Sequence, residues 1–434
     1  MSVPQKSDSV AVFGLGRSGL ALLSHFEREG IRAVAYDSNP SAKAALVAAG
    51  LSHIPFYSGE DYRLMPKADI LYRSPALRPD HPALTDGLRR GALLSDEISL
   101  FCALCPATLL AVTGSDGKST TASLVAEALR LSGKRVFLGG NIGVSLLSYL
   151  PDMRAGDFAV LELSSFQLTT ATLSAEGGVI TNLSENHLNW HKDMAEYAAA
   201  KERLFGLCRH MTVKAGVFPQ REALRFSLDG DTPLRLEGKT LYDGDTPLFE
   251  EGDMRLRGRF HLENFLAAAG VTRAFVPRRL FLPLARGFSG LPHRLEPVAT
   301  RQGVAFYNSS IDTSPMRTLA TLSALSERGE RAVVLLGGAD KGLSLAPLAE
   351  GLPSLVEGAV LFGQSREALA RALRGRLPLA LAESLKDAIP LALSLAEGRA
   401  EAVVLSPAFT AFDAFRDYAQ RGEAFKRAVL ALPE

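Results

Sequence analysis

The residues best suited to chemistry stand together at Thr113-Gly114-Ser115-Asp116-Gly117-Lys118-Ser119-Thr120-Thr121. An apolar, strand-like run precedes them and a helix-like segment follows, which is the context a phosphate-binding loop requires. Gly114 and Gly117 let backbone N–H groups curl around phosphate oxygens, and the helix N-terminus adds partial positive charge. Lys118 can neutralise the β- and γ-phosphates, and Ser119 or Thr120 can reach a magnesium ion. The common loop carries a further glycine six residues before the lysine; here that residue is Val112, leaving the shorter G-x-x-G-K-[ST] form. Glu162 ends the run FAVLE, at the strand end where ligand sites gather in open α/β sheets. A carboxylate there, facing the loop, would hold Mg²⁺, a hard cation that prefers oxygen ligands. His187 lies in a polar loop after GVITNLS, and Lys201 lies on the helical pattern MAEYAAAKERLF. Taken alone, a lone histidine is as readily structural, and a helix lysine is ordinarily a solvated charge.

Strand-like runs alternate with helix-like segments through most of the chain, which predicts α/β units built on parallel sheets. VAVFGLGRSG, RAVAYD ending at Asp37, and ADILYRSPAL mark a first Rossmann-like unit over residues 1–95. A central phosphate-loop unit over 96–291 carries LLAVTGSDGKSTT, RVFLGGNIG, FAVLELSSFQ and GVITNLSEN. Its later stretch PLRLEGKTLYDGDTPLFEEGDMRLRG is turn-rich and predicts a small antiparallel sheet. A third, Rossmann-like unit over 292–434 has VAFYNSS, RAVVLLGGAD, GAVLFG and AVVLSPAF.

The 434 residues suffice for two to four domains, and 48 basic against 47 acidic residues give a net charge of +1, which argues against bulk polyanion binding. Three cysteines make no disulfide framework, and LFCALCP, with Cys102 and Cys105, reads as apolar packing. MSVPQKSDSV has no apolar signal core, and no apolar run approaches the ~20 residues that cross a bilayer, so a cytoplasmic protein is expected.

TGSDGKSTT, GGNIG, LELSSFQL, NLSENHLNWH, YAAAKERLF, HLENFLAAA, LPHRLE, GGADKG and SPAFTAFDAFRDYAQRGEAF follow one another in this order. In this the chain resembles the Mur ligases of peptidoglycan synthesis over essentially its whole length. LELSSFQL and the SPA…FD…F…RG…F ending are most similar to the branch that adds D-glutamate to UDP-N-acetylmuramoyl-L-alanine. The resemblance implies an ATP-dependent amide-bond ligase working through an acyl phosphate, with Mg²⁺, without nucleic acid, and as a monomer. It implies catalytic or metal roles for Lys118, Ser119, Glu162, His187 and Lys201, the last carbamylated by CO₂. ATP contacts are implied for residues 114–120, Asn264, His293 and Arg294, and sugar-nucleotide contacts for Arg17, Ser18, Asp37, Ser74 and Asn141. The glycine-rich turn at Gly14 then holds the UDP diphosphate, and a redox dinucleotide is not the expectation. Thr313, Lys341, Thr410, Phe412 and Tyr418 are assigned to the amino-acid pocket.

The third unit departs from the family pattern. Asn308-Ser309-Ser310-Ile311-Asp312-Thr313-Ser314 stands where N-D-S-K-A-T-N is common, with Asp312 offered for the ribose contact, and Ala411 replaces a frequent serine. Two alternatives stay open: a Mur-type ligase for another amino acid, or a non-catalytic nucleotide-binding homologue. A phosphate-loop kinase or motor is disfavoured by Val112.

Overall fold

A computed structural model of the chain describes residues 3–185, 190–256, 258–327, 329–339 and 344–433. His187 and Lys341 lie outside the described residues. The chain divides into two compact units, Met1–Phe288 and Ser289–Glu434.

The first unit holds two sheets. Strands β1 (Ser9–Phe13), β2 (Arg32–Asp37), β3 (Phe56–Ser58), β4 (Ile70–Arg73) and β5 (Leu93–Asp96) form an all-parallel sheet in the order β3-β2-β1-β4-β5. The order reverses at β1, and the turn after it opens at the crevice where such sheets take ligands. The helix Arg17–Glu29 packs Leu22, Leu23 and Phe26 on this sheet and ends at Gly30 in the left-handed region (φ 69°).

The second sheet has nine strands: β6 (Thr108–Thr113), β7 (Val136–Gly140), β8 (Phe158–Glu162), β9 (Ala175–Ile180), β10 (Cys208–Lys214), β11 (Leu224–Ser227), β12 (Leu234–Glu237), β13 (Thr240–Asp243) and β14 (Thr246–Glu250). Their order is β14-β13-β12-β11-β10-β9-β6-β8-β7. The hairpins expected as a small separate sheet extend this one instead. β12 pairs in parallel with β11, and only β12-β13 and β13-β14 are antiparallel. The central strands are apolar on both faces because helices cover both, Lys118–Leu131 and Arg259–Thr272 among them. Ile98, Leu100 and Phe101 of the helix Glu97–Leu104 join the cores of the two sheets into one. Fully burying such side chains contributes about 1.5–3 kcal/mol each. Cys102, Cys105 and Cys208 are free, and burial pushes the Cys208 thiol up to about 12, as suits packing rather than reactivity.

The second unit is a six-stranded sheet of β15 (Glu296–Arg301), β16 (Val304–Asn308), β17 (Ala332–Gly337), β18 (Gly358–Phe362), β19 (Leu379–Leu381) and β20 (Ala402–Leu405). The order is β15-β16-β20-β17-β18-β19, parallel except for the β15 edge. Among the described residues no helix is long and apolar enough to cross a membrane.

Candidate active site

The phosphate loop leaves β6 and enters the helix Lys118–Leu131 through Gly117, whose φ of 74° is cheap only for glycine. A Cβ on Gly117 would lie 2.3 Å from Asn264 Oδ1, and one on Gly114 would lie 1.8 Å from Thr181 Oγ1. The loop is thus wedged between the helix Arg259–Thr272 and the end of β9. Asn264 is buried there and accepts from Thr121 Oγ1 at 3.1 Å. Lys118 Nζ folds back onto the loop and donates to Gly114 O (3.0 Å) and Ser115 O (2.6 Å). Ser119 and Thr120 are buried in the first helical turn.

Lys201 is not a solvated surface charge: it is 1% exposed. Its helix, Met194–Glu202, is capped by the Asp193 carboxylate, which accepts from Glu196 N–H at 2.8 Å. Tyr197 and Lys201, four residues apart, share the face that meets the phosphate loop. Lys201 Nζ donates to Gly114 O at 2.7 Å and lies 4.6 Å from the centre of the Tyr197 ring. Tyr197 Oη is hydrogen-bonded to Ser115 Oγ at 2.8 Å. Burial, and then the Lys118 charge, lower the Lys201 amine to about 6, against the pull of Asp116 and Glu162.

Glu162, at the end of β8, is 1% exposed. Oε1 accepts from Asn141 Nδ2 at 2.7 Å, while Oε2 is buried with no hydrogen-bond partner among the described residues. An orphaned carboxylate oxygen beside a phosphate loop is a group that could ligate a hard cation. Among the described residues no three His, Cys, Asp or Glu side chains form a metal cage. His191 is buried beside Ser165 Oγ at 2.9 Å and packs on Phe166, Trp190 and Tyr197, consistent with a structural part.

The first sheet brings Gly14–Ser18, Asp37 and Ser74 together at the ends of β1, β2 and β4. A Cβ on Gly14 (φ 92°) would lie 2.5 Å from Ser74 Cβ. Asp37 Oδ2 accepts from Leu15 N–H at 2.8 Å. Gly14, Gly16 and Gly19 complete the G-x-G-x-x-G spacing, and a Cβ on Gly19 would lie 1.9 Å from Gly14 O. Asp37, the residue that would hold a ribose, is partly engaged by the turn itself. Arg17 donates to Gly143 O, so the turn reaches the loop that carries Asn141. Arg73, which sequence reasoning missed, is fully buried and donates to Leu77 O (2.5 Å), Phe166 O (2.7 Å) and Thr170 Oγ1 (2.9 Å), tying the two sheets of this unit together.

In the second unit, the ends of β16, β17 and β20 converge on Arg421, also missed and 0% exposed. Its guanidinium donates to Ser310 Oγ, Ser310 O and Phe409 O at 3.0 Å each and to Gly337 O at 3.3 Å. Burial lowers Arg421 to about 10, opposed by Asp413 and Asp312. Asp312 is buried and accepts from Thr321 Oγ1 and Ser406 Oγ, both at 2.8 Å; burial raises its carboxyl. Ser309 Oγ accepts from Leu295 N–H at 3.1 Å. His293, buried with φ 63°, lies 2.9 Å from Asn308 Nδ2, and Arg294 beside it is exposed. Thr410 is buried against Ala339 O (3.0 Å), Thr313 is half-buried, and Phe412 (70%) and Tyr418 (41%) are exposed. Ala411 is buried.

The fold and this loop define the class: a phosphate-loop α/β protein with a second Rossmann-like unit. A family model described as the Mur ligase middle domain matches residues 112–218. The UDP-N-acetylmuramoylalanine--D-glutamate ligase of Ruminiclostridium cellulolyticum is 33% identical over 98% of this chain and 97% of its own. The enzyme of the same name from Acetivibrio thermocellus is 34% identical over 98% and 96%. Among solved structures, the UDP-N-acetylmuramate-alanine ligase of Thermotoga maritima superposes with a TM-score of 0.58 at 17% identity, covering 98% of this chain and 99% of that one. The chain belongs to the Mur ligase family, ATP-dependent ligases of peptidoglycan precursor synthesis.

Proposed function

We propose that this chain joins the amine of D-glutamate to the carboxylate of UDP-N-acetylmuramoyl-L-alanine in the cytoplasm, driven by ATP. The observation that carries the reading is the convergence of Lys118, Lys201 and the phosphate loop beside a buried Glu162 oxygen that has no partner among the described residues. A carboxylate is a poor electrophile and must be activated. Its oxygen attacks the γ-phosphorus, ADP leaves, and an acyl phosphate forms. The amine of glutamate then attacks the acyl carbon, the C–O bond breaks, and inorganic phosphate departs with that oxygen. Lys118 and the loop N–H groups stabilise the charge that develops on the transferring group.

Glu162, Ser119, His187 and Lys201 are proposed to hold Mg²⁺, which when bound offsets repulsion between the triphosphate and the incoming carboxylate. Lys201 suits this role as a carbamate: its lowered amine is largely neutral near pH 7 and can add to CO₂. Gly14–Ser18, Asp37, Ser74 and Asn141 are assigned to the sugar nucleotide, and Asn264, His293, Arg294 and Asp312 to ATP. Thr313, Lys341, Thr410, Phe412 and Tyr418 are assigned to the amino acid.

Phosphate release with UDP-N-acetylmuramoyl-L-alanine, compared across D-glutamate, L-glutamate and other amino acids, tests the assignment. Release that requires both the sugar nucleotide and D-glutamate is expected. Release supported equally by another amino acid, or ATP binding with no release, would replace this reading with one of its alternatives.

A further inference from the structure

Residues 181–184, immediately after β9, make a dense set of hydrogen bonds to the phosphate loop. Asn182 Oδ1 accepts from two successive loop N–H groups, Ser115 at 3.1 Å and Asp116 at 2.8 Å. Asn182 Nδ2 donates to Asp116 O at 3.3 Å, and Thr181 Oγ1 donates to the same oxygen at 2.6 Å. Ser184 N–H donates to Ser115 Oγ, and Ser115 Oγ donates to Ser184 O, both at 2.9 Å. The peptide groups that lead into Gly117 are therefore held on both their N–H and C=O sides by one short segment.

We infer that Asn182 is a positioning residue for the triphosphate, holding the Ser115–Asp116 backbone in the bound shape before ATP arrives. The side chain imitates an anion at the outer edge of the loop. The first N–H groups of the helix Lys118–Leu131, which have no intrahelical acceptor, are left to the phosphates. Thr181 supports the same peptide from the carbonyl side. A loop built in advance spares ATP the ordering cost that a flexible glycine turn would impose. Asn182 acts through the loop and touches no reacting atom. The inference rests on the reading of residues 114–121 as the ATP phosphate site.

The test is calorimetric titration of Mg·ATP, with steady-state kinetics, on the full chain and on the Asn182→Ala and Thr181→Val variants. Losing the three side-chain hydrogen bonds to the loop is expected to weaken ATP about tenfold or more in Asn182→Ala. The KM for ATP should rise in parallel, while kcat and the KM for the sugar nucleotide stay within about threefold. Thr181→Val, which keeps the side-chain volume and removes one donor, should weaken ATP in the same direction by a smaller factor. It decides the matter if Asn182→Ala does not fold. ATP affinity within twofold of the parent in the folded variants, or an equal rise in every KM accompanied by a lower melting temperature, would overturn the inference. A parent chain that fails to bind Mg·ATP would instead overturn the reading of the site.

Discussion

Lys201 combines a reactive amine with a thermodynamic cost, both from the same burial. Its ordinary value of 10.5 falls to about 6 in the folded chain. Between these two values the unfolded chain binds more protons than the folded one, so this group makes stability rise with pH from about 6 to 10.5. Below about 6 the penalty is fully present, and above 10.5 it is gone. Lys201→Met should therefore raise the melting temperature at pH 7 in bicarbonate-free buffer, with the gain shrinking towards pH 10.5. The same variant should lose ligase activity by about a hundredfold or more, the scale of a lost transition-state electrostatic contact. A small carboxylic acid should restore part of it to Lys201→Ala; unchanged activity in either variant would remove Lys201 from the site. Glu162→Gln keeps the size and can still meet Asn141, so its predicted loss appears in kcat and in Mg²⁺ dependence, with little change in melting temperature. The burial of Lys201 was not legible in the sequence, because MAEYAAAKERLF has too weak an apolar stripe to show which face turns inward. The loop, by contrast, was legible residue by residue, since Gly114, Gly117 and Lys118 have few other reasons to stand at that spacing.

Short elements at strand ends set the shape of each site, and outside the phosphate loop they are where sequence reasoning saw least. At Gly117, φ 74° and an Asn264 oxygen 2.3 Å from any added Cβ leave no room for a side chain. Gly117→Ala should cost about 1–2 kcal/mol from the left-handed backbone alone and lower ATP affinity at least about tenfold. Thermal denaturation and ATP titration of the variant check both parts. Arg421 plays the corresponding part in the second unit, where four hydrogen bonds gather the ends of β16, β17 and β20. Arg421→Ala leaves buried carbonyls without donors and should destabilise the chain by about 3–5 kcal/mol, measured by denaturant titration. Its place in the RG of the C-terminal motif was visible, but nothing in that pattern distinguishes a buried hub from a ligand. Asn182 was hidden in the same way, inside a segment whose histidine drew the attention. The hairpins β12-β13-β14 were legible as hairpins, yet their attachment to the central sheet depends on β11 pairing in parallel with β12, a long-range choice that turn chemistry does not encode.

For the molecule as a whole, the continuous core under the first two sheets makes residues up to Phe288 one cooperative body, with Ser289–Glu434 a second. The proposed sites fall on both, and an acyl phosphate survives only if water is kept from it. The central claim, that ATP activates the sugar carboxylate itself, has a direct test. UDP-N-acetylmuramoyl-L-alanine labelled with ¹⁸O in its carboxylate is incubated with the chain, Mg·ATP and D-glutamate, and the phosphate released is analysed by mass. Transfer of one ¹⁸O into inorganic phosphate for each amide formed is predicted. Amide product with unlabelled phosphate, or phosphate release with no amide at all, would contradict it.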